Sequence, residues 1–337
     1  MSKFNVVTIG SAVKDIIFYT TGGKIILTPH NLTAQKMLAF EYGAKNDITA
    51  SAHGFGGGAA NSAVTFSRLK LKTAIVASVG RDIIGQEISS HLRQERINTS
   101  FIQQQSKQLT AMSFIVSADR KDEEHIVFTD RGASSDLICD QHSLSGVTTD
   151  WLYLTGLTGA KAAKNISAIF NLAGKKKFKI AWNLGAQQLQ AGKRNLSAFL
   201  RQTEVLILNK DEAIELALSG IRLGRKNPNH LNRPVYLLNI LHDWGPKIVV
   251  ITDGKKGAYA YDGRKIYKQS AARVKVVNTI GVGDAFGSAF VASLMYTKNN
   301  ITQALRWGMA NSGSVVATVG AQAGILTLTQ LKEKINH

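Results

Sequence analysis

The chain has 337 residues, 44% of them hydrophobic and 19% charged, with 41 lysines and arginines against 23 aspartates and glutamates and a net charge of +18. That length suits one large domain or two with a substantial buried core, and no apolar run is long enough to span a membrane. A single cysteine, Cys139, excludes an internal disulfide and fits a reducing, cytoplasmic setting, where it reads as a buried or tolerated thiol.

The basic balance raises the local concentration of anionic ligands and would also suit nucleic acid. The basic residues are scattered, however. The densest groups are Lys175-Lys176-Lys177 with Lys179, and the stretch Arg222 to Arg233. Neither carries a recognised nucleic-acid motif, so both read as solvated surface. Such a surface also suits a phosphate-bearing substrate.

In chain order, Met1 to Asn5 lead straight into an apolar strand at Val6–Ile9, with no charged leader or cleavage site, so a signal peptide is not expected. Asp15 to Ser51 holds short β-like pieces at Ile16–Tyr19, Lys24–Leu27 and Met37–Tyr42. A glycine run then opens a helix at Asn61–Leu69, followed by a strand at Ala74–Val79 and a helix at Gly85–Glu95. Thr110 to Phe128 holds two more extended pieces, Ala111–Ser117 and His125–Phe128, around the polar turn Asp119 to Glu124. Beyond it, strands at Trp151–Leu154, Ile180–Trp182, Val205–Leu208 and Ile248–Ile251 alternate with helices at Lys161–Gly174 and Asp211–Leu218; a last helix follows at Ala285–Met295.

This alternation predicts an α/β fold, with a mostly parallel central sheet covered on both faces and ligands beyond the carboxyl ends of its strands. The two irregular regions are expected to pair as a small antiparallel sheet that projects from the core as a lid and excludes water. The expected division is a core of residues 1–14, 52–108 and 132–337 and a β-lid of residues 15–51 and 109–131.

Four motifs carry chemistry. In Gly54-Phe-Gly-Gly-Gly-Ala-Ala-Asn61 the glycines allow close backbone approach to a ligand, and the Asn61 amide suits vicinal hydroxyls. Gly54-x-Gly56-x-x-Ala59, with Asp82 further on, also mimics a dinucleotide fingerprint. That motif needs an apolar strand directly before it, and Asp47 to His53 is polar and small, so NAD binding is not expected. Asn209-Lys-Asp-Glu212, directly after a strand, could position a hydrated Mg²⁺ or simply form a helix-capping box. Thr252-Asp-Gly254, with Gly257 beyond, reads as a phosphate-receiving strand end or a plain turn.

Asn278-Thr-Ile-Gly-Val-Gly-Asp284 is the most informative. Gly281, Val282 and Gly283 supply backbone donors at a helix mouth, an anion site by partial charge and hydrogen bonding. Asp284 would repel a phosphate that merely bound there. It is intelligible as a base that takes a proton from a hydroxyl while the amides hold the phosphoryl group in transfer. At a helix mouth it is expected to ionise readily; as a bare helix N-cap it would contribute only about 0.5–2 kcal/mol. No G-x-x-x-x-G-K-[ST], H-E-x-x-H, G-x-S-x-G or cysteine-rich metal pattern occurs, and the eight histidines do not cluster.

Taken in this order, Gly56-Gly-Gly-Ala-Ala-Asn61, Ser78-Val-Gly-Arg-Asp82-Ile-Ile-Gly85, Arg131-Gly-Ala133, Asn209-x-x-Glu212 and Asn278 to Asp284 resemble the signatures of the ribokinase/PfkB family of carbohydrate and nucleoside kinases. The resemblance covers nearly the whole chain and implies a three-layer α/β/α fold with a β-lid. It implies Asp284 as catalytic base, Gly281, Val282 and Gly283 as the anion hole, and Asp15, Gly57 and Asn61 holding the acceptor's hydroxyls. It further implies Asn209 and Glu212 with Mg²⁺ and phosphate, Thr252 and Gly254 at the ATP phosphates, and Asn311 near the adenine. Two positions depart from the family pattern. Asn278 replaces an aspartate that helps bind a monovalent cation in some relatives, which weakens the case for K⁺ activation. Val282 replaces alanine but keeps its N–H.

The expected activity is ATP-dependent phosphorylation of a hydroxymethyl group, on a sugar in preference to a nucleoside. A nucleoside acceptor would call on Phe18, Phe40 and Tyr42 as a clamp for its base. A basic nucleic-acid-binding or regulatory protein on the same fold is the competing class. The lid strands are compatible with a homodimer formed lid to lid.

Overall fold

The computed structural model describes residues 3–28, 36–117, 125–222 and 228–336. The turn expected at Asp119 to Glu124 and residues 223–227 of the second basic stretch lie outside the described residues.

Strand β1 (Phe4–Ile9) opens the central sheet and is buried everywhere except Asn5. The chain leaves the sheet for β2 (Val13–Thr20), the hairpin β3 (Lys24–Leu27) and β4 (Lys36–Ala39), and β5 (Ile48–Gly56). It returns through α1 (Gly58–Arg68), β6 (Thr73–Gly80), α2 (Ile83–Gln94) and β7 (Asn98–Gln105). A second excursion, β8 (Met112–Ser117) and β9 (Ile126–Asp130), precedes β10 (Thr149–Leu154), α3 (Ala162–Lys176), β11 (Lys179–Asn183) and α4 (Ala186–Leu200). Then come β12 (Val205–Asn209), α5 (Lys210–Leu218), α6 (Pro234–His242) and β13 (Ile248–Thr252). Strands β14 (Ala258–Tyr261) and β15 (Ile266–Gln269) and helices α7 (Val282–Tyr296), α8 (Ile301–Val316) and α9 (Leu328–Asn336) complete the described chain.

The nine-stranded sheet runs β15-β14-β13-β12-β11-β10-β1-β6-β7. Strands from β13 to β7 are parallel; β14 and β15 turn back antiparallel at one edge. A parallel sheet covered on both faces needs unbroken apolar strands rather than alternating ones, and all eight residues of β6 are buried. Side chains along each strand still point to opposite faces, which divides the core in two. Val7, Leu152, Leu154 and Trp182 pack towards Phe170 of α3 on one face. Val6, Trp151, Tyr153 and Ala181 pack towards Phe286 and Phe290 of α7 on the other. Cys139 is buried, and desolvation pushes its thiol up to about 12, so it is an inert core residue.

Part of the basic surface has a local explanation. Lys175 and Lys176 occupy the last turn of α3, where cations complement the helix dipole, and Lys177 caps it at φ 58. Lys179 opens β11 with its ammonium 3.6 Å from Glu204 and 5.2 Å from the centre of the Trp151 ring.

Four strands in the order β5-β2-β8-β9 form the smaller sheet. It differs from expectation in three ways. The pair β2 and β8 is parallel, not antiparallel. Both strands are entered from the same end of the core, just beyond the parallel strands β1 and β7. The hairpin β3–β4 stands apart as a two-stranded sheet with Ile25, Ile26 and Leu27 exposed. Finally, the polar Asp47 to His53 segment is largely strand β5, held by backbone pairing to β2 rather than by apolar side chains. A strand does therefore precede the glycine run. It belongs to the small sheet and runs antiparallel, so the mimicry of a dinucleotide turn fails on topology rather than on polarity.

Candidate active site

Helix α7 begins with Gly281 as its N-cap at φ 72. This left-handed conformation favours glycine, and a Cβ there would sit 2.7 Å from the Ala321 Cβ. The first amides of a helix have no partner within it, so the N–H groups of Gly281, Val282 and Gly283 form a donor cluster at the positive end of the dipole. Gly283 is exposed, with open space where a side chain would be. A ligand can come directly onto the turn.

Asp284 is the third residue of this helix, not its cap. Its carboxylate is only partly exposed. Burial among protein atoms raises its pKa, against a hydrogen bond donated by Asn61 Nδ2 to Oδ2 at 2.8 Å. The expectation of ready ionisation is corrected here. Desolvation outweighs the helix mouth, as is usual for a carboxylate enclosed by protein.

Asp15 faces this region from β2 and is 4% exposed. Burial pushes its carboxyl up to about 6, opposed by a Ser113 hydrogen bond and reinforced by the negative charge of Asp284. Asp15, on the small sheet, therefore feels the charge of Asp284 on the core. Gly56 lies under the Asp15 carboxylate, which occupies the place of a Cβ. Gly57, the N-cap of α1, has φ 93, and a Cβ on it would come within 2.6 Å of the Ser11 carbonyl oxygen. Asp82 serves as a tie. It caps α2 by accepting from the Gly85 amide at 2.7 Å, and also accepts from the Thr110 amide at 2.7 Å and hydroxyl at 2.6 Å, just before β8.

Asn61 is buried behind the base rather than open towards an acceptor. Its Nδ2 donates to Asp284, and its Oδ1 accepts from Gln322 Nε2 at 2.9 Å. The amide expected to hold acceptor hydroxyls is thus engaged on both ends within the protein.

On the other side, β12 ends at Asn209, which pairs in register with Thr252 at the end of β13. Asn209 and Glu212 do form the capping box. The Asn209 amide donates to Glu212 Oε2 at 2.8 Å, and the Glu212 amide donates to Asn209 Oδ1 at 2.9 Å. The Glu212 carboxyl is nevertheless raised, by burial first, against the Asn209 hydrogen bond and with the charge of Asp284 adding to it. Gly254 has φ 50 and open space beside it. Lys210 lies 3.3 Å from Asp253 between these two strand ends.

Asn311, expected near the adenine, is fully buried. Its Nδ2 donates to the Ala285 carbonyl at 2.9 Å and its Oδ1 accepts from the Leu326 amide at 2.9 Å. It ties the first turn of α7 to the loop after α8, and neither end of its amide is left for an adenine.

Among the described residues no three His, Cys, Asp or Glu side chains converge as a metal cage. Mg²⁺ does not require one, because it keeps waters and binds through one or two carboxylates plus substrate phosphates. Glu212, with one oxygen on the Asn209 amide, fits such a hydrated ion. A monovalent cation fits less well. Asn278 Nδ2 donates to the carbonyls of Thr318 at 3.3 Å and Gly320 at 3.2 Å, so a neutral amide already engages the oxygens on that side of the turn.

Three residues near the site carried no sequence signal. Gln322 and His91 continue the hydrogen-bond chain behind Asn61, with Gln322 Oε1 2.7 Å from His91 Nε2. His125, just before β9, has Nδ1 3.4 Å from the Thr279 hydroxyl, and burial lowers its pKa. Each is brought in from a distant part of the chain by topology alone.

Comparison with known proteins bears on the family and the fold. The sequence pattern of the pfkB family carbohydrate kinase matches residues 4–328. A ribokinase of Haemophilus influenzae is 28% identical over 289 residues, covering 84% of this chain and 88% of that protein. A 5-dehydro-2-deoxygluconokinase of Clostridium botulinum is 25% identical over 294 residues, covering 84% of each. The structure of Arabidopsis thaliana ribokinase complexed with ribose and ATP superimposes with a TM-score of 0.76 at 17% identity, covering 100% of both chains, and so shares the fold. With the family pattern running from the first strand to the last helix, over a ribokinase-like fold, the chain belongs to the PfkB family of carbohydrate kinases, phosphotransferases that act on sugar hydroxyl groups.

Proposed function

We propose that this protein transfers the γ-phosphoryl group of ATP to a hydroxymethyl group of a small sugar. The observation that carries the reading is Asp284, a carboxylate of raised pKa, placed one residue after the unpaired amides of Gly281, Val282 and Gly283. The acceptor lies between Asp284 and Asp15, whose carboxyl orients its hydroxyls. Asp284 takes the hydroxyl proton as the new O–P bond forms and the bond from the γ-phosphorus to the β–γ bridging oxygen breaks, releasing ADP. The three amides hold the γ-phosphoryl oxygens as charge shifts across them; one such donor is typically worth about 3–4 kcal/mol of barrier. Thr252 and Gly254 receive the other phosphates at the strand ends, and Asn209 with Glu212 would hold a hydrated Mg²⁺, which would supply charge to offset that of the phosphates. We assign the sheet of β2, β5, β8 and β9 the role of a lid that carries Asp15 onto the acceptor.

A sugar is favoured over a nucleoside because a ribokinase and a 5-dehydro-2-deoxygluconokinase are among the relatives of this chain and because Asp15 is suited to hydroxyls. Thermal-shift screening with ribose, fructose, adenosine and other nucleosides, each with an ATP analogue, tests this. Stabilisation by a sugar is expected; stabilisation by nucleosides alone would reverse the acceptor class.

Because the Asn278 amide engages the Thr318 and Gly320 carbonyls, turnover is expected to be the same in K⁺ and in a bulky organic cation at equal ionic strength. A strong activation by K⁺ would contradict this part of the account.

A further inference from the structure

Behind the carboxylate of Asp284 runs a chain of three polar side chains, Asn61, Gln322 and His91, from three separate parts of the sequence. Asn61 Nδ2 donates to Asp284 at 2.8 Å, Gln322 Nε2 donates to Asn61 Oδ1 at 2.9 Å, and Gln322 Oε1 lies 2.7 Å from His91 Nε2. The polarity of the chain is fixed from its charged end. An ionised carboxylate only accepts, so Asn61 must present its nitrogen to Asp284 and its oxygen away from it. That oxygen requires a donor, so Gln322 must present its nitrogen. The Gln322 oxygen then faces His91, whose Nε2 must carry the hydrogen.

Each amide in the chain could otherwise turn about its last bond at little steric cost. Turning Asn61 would place its carbonyl oxygen against the Asp284 carboxylate. What opposes this is the Gln322 donor, and what holds Gln322 is His91. The far end is itself braced. The His91 ring stacks on Phe55 at 4.5 Å and 21°, and the Lys14 ammonium lies 4.5 Å from the centre of the Phe55 ring and 2.8 Å from Glu87. The Gln322 backbone is held independently, since Arg68 Nη1 donates to the carbonyls of Gln322 at 3.0 Å and Ile325 at 2.9 Å.

We propose that Gln322, backed by His91, is a positioning residue that locks the Asn61 amide with its donor on Asp284 and thereby keeps the base ionised at neutral pH. The proposal rests on Asp284 being the base. It assigns Gln322 no contact with substrate.

The test uses the whole chain and two substitutions. Gln322→Glu replaces the donor by an acceptor, so the stable arrangement has Asn61 turned, its nitrogen on the new carboxylate and its oxygen on Asp284. Gln322→Met removes both hydrogen bonds without adding charge. Asp15, Glu212 and Tyr153, which are also within electrostatic reach of Asp284, are unchanged in both. So are Glu87, Glu95 and Lys14 around His91. Loss of the donor raises the carboxyl, so the acid limb of the kcat profile should move to higher pH, by about one unit or more for Gln322→Glu and less for Gln322→Met, with the rate recovering at high pH. Carbon NMR titration of the Asp284 carboxyl, assigned with Asp284→Asn, should show the same shifts.

A limb and a titration unmoved in both variants would overturn the proposal. So would a shift in Gln322→Glu alone, because that is the effect of a nearby charge rather than of a lost donor. The NMR titration reads the chain even if no acceptor is turned over; failure of wild-type turnover would therefore sink the proposed function while leaving this inference to be decided by the titration.

Discussion

Asp284→Asn is expected to lower kcat by at least about 10²-fold, the usual span for a positioned general base being roughly 10²–10⁴. The substitution keeps the shape of the side chain and its place in the first turn of α7, so the fold should survive. The wild-type pH profile follows from the same carboxyl. Its pKa is raised by burial, with the Asn61 hydrogen bond opposing. The ionised form is the base, so the rate should be low at acid pH and rise through a midpoint above the ordinary carboxylate range. The asparagine variant should retain a small residual rate from the amides alone and lose the acid limb. Steady-state kinetics across pH check both points. A variant of undiminished kcat would remove Asp284 from the mechanism.

Asp15→Asn should make the free protein more stable at neutral pH while impairing its use of acceptor. The Asp15 carboxyl ordinarily titrates at 3.8 and is pushed up to about 6 in the fold. The folded state therefore holds the proton more tightly than the unfolded state. The stability this gives is complete below about pH 4 and is lost as pH rises through about 6. At pH 7 wild type carries the full cost of a buried charge, roughly 2–3 kcal/mol from a shift of about two units. An asparagine cannot ionise and can still accept from Ser113. Denaturant unfolding should show the variant ahead at pH 7 and level with wild type near pH 4, with KM for the acceptor raised. Equal stability at both pH values would mean that Asp15 is not the strained group described.

Such a cost is retained where a site needs it. Two carboxyls raised by burial, Asp15 on the small sheet and Asp284 on the core, with the charge of Asp284 raising Asp15 further, form an uncomfortable pair. An acceptor whose hydroxyls donate to both relieves it. In the proposed function the strain would thus sit where substrate can release it.

The central sheet was legible because its strands are unbroken apolar runs with helical periodicity between them, as in Thr73–Gly80 and Val282–Tyr296. The glycine turn at Gly281 was legible because a left-handed N-cap beside Ala321 leaves few residues to choose from. What escaped has physical reasons. Strand β5 is made by backbone pairing to β2, and its small polar side chains carry no pattern of burial. Helix α4 contains Gly192 at φ 70, which interrupts its periodicity. Edge strand β7, with the sequence NTSFIQQQ, has only intermediate and exposed positions. In the site, Asn209 and Glu212 form the cap that sequence offers as the ordinary reading, while strand pairing brings Glu212 within electrostatic reach of Asp284. Only topology does that. The same holds for Asn311 and Asn61, whose amides are taken up by partners 15 to 261 residues away in sequence. No local motif announces a hydrogen bond of that span.

The most direct test is a single-turnover experiment at saturating ATP, Mg²⁺ and sugar, comparing wild type with Asp284→Asn and measuring the affinity of each for both substrates. Wild type should form a phosphate ester on the hydroxymethyl group, and the variant should bind both substrates normally but carry out the chemical step at least about 10²-fold more slowly. Equal rates of ester formation in the two proteins would contradict the role of Asp284 as base, as would a loss explained wholly by weaker binding.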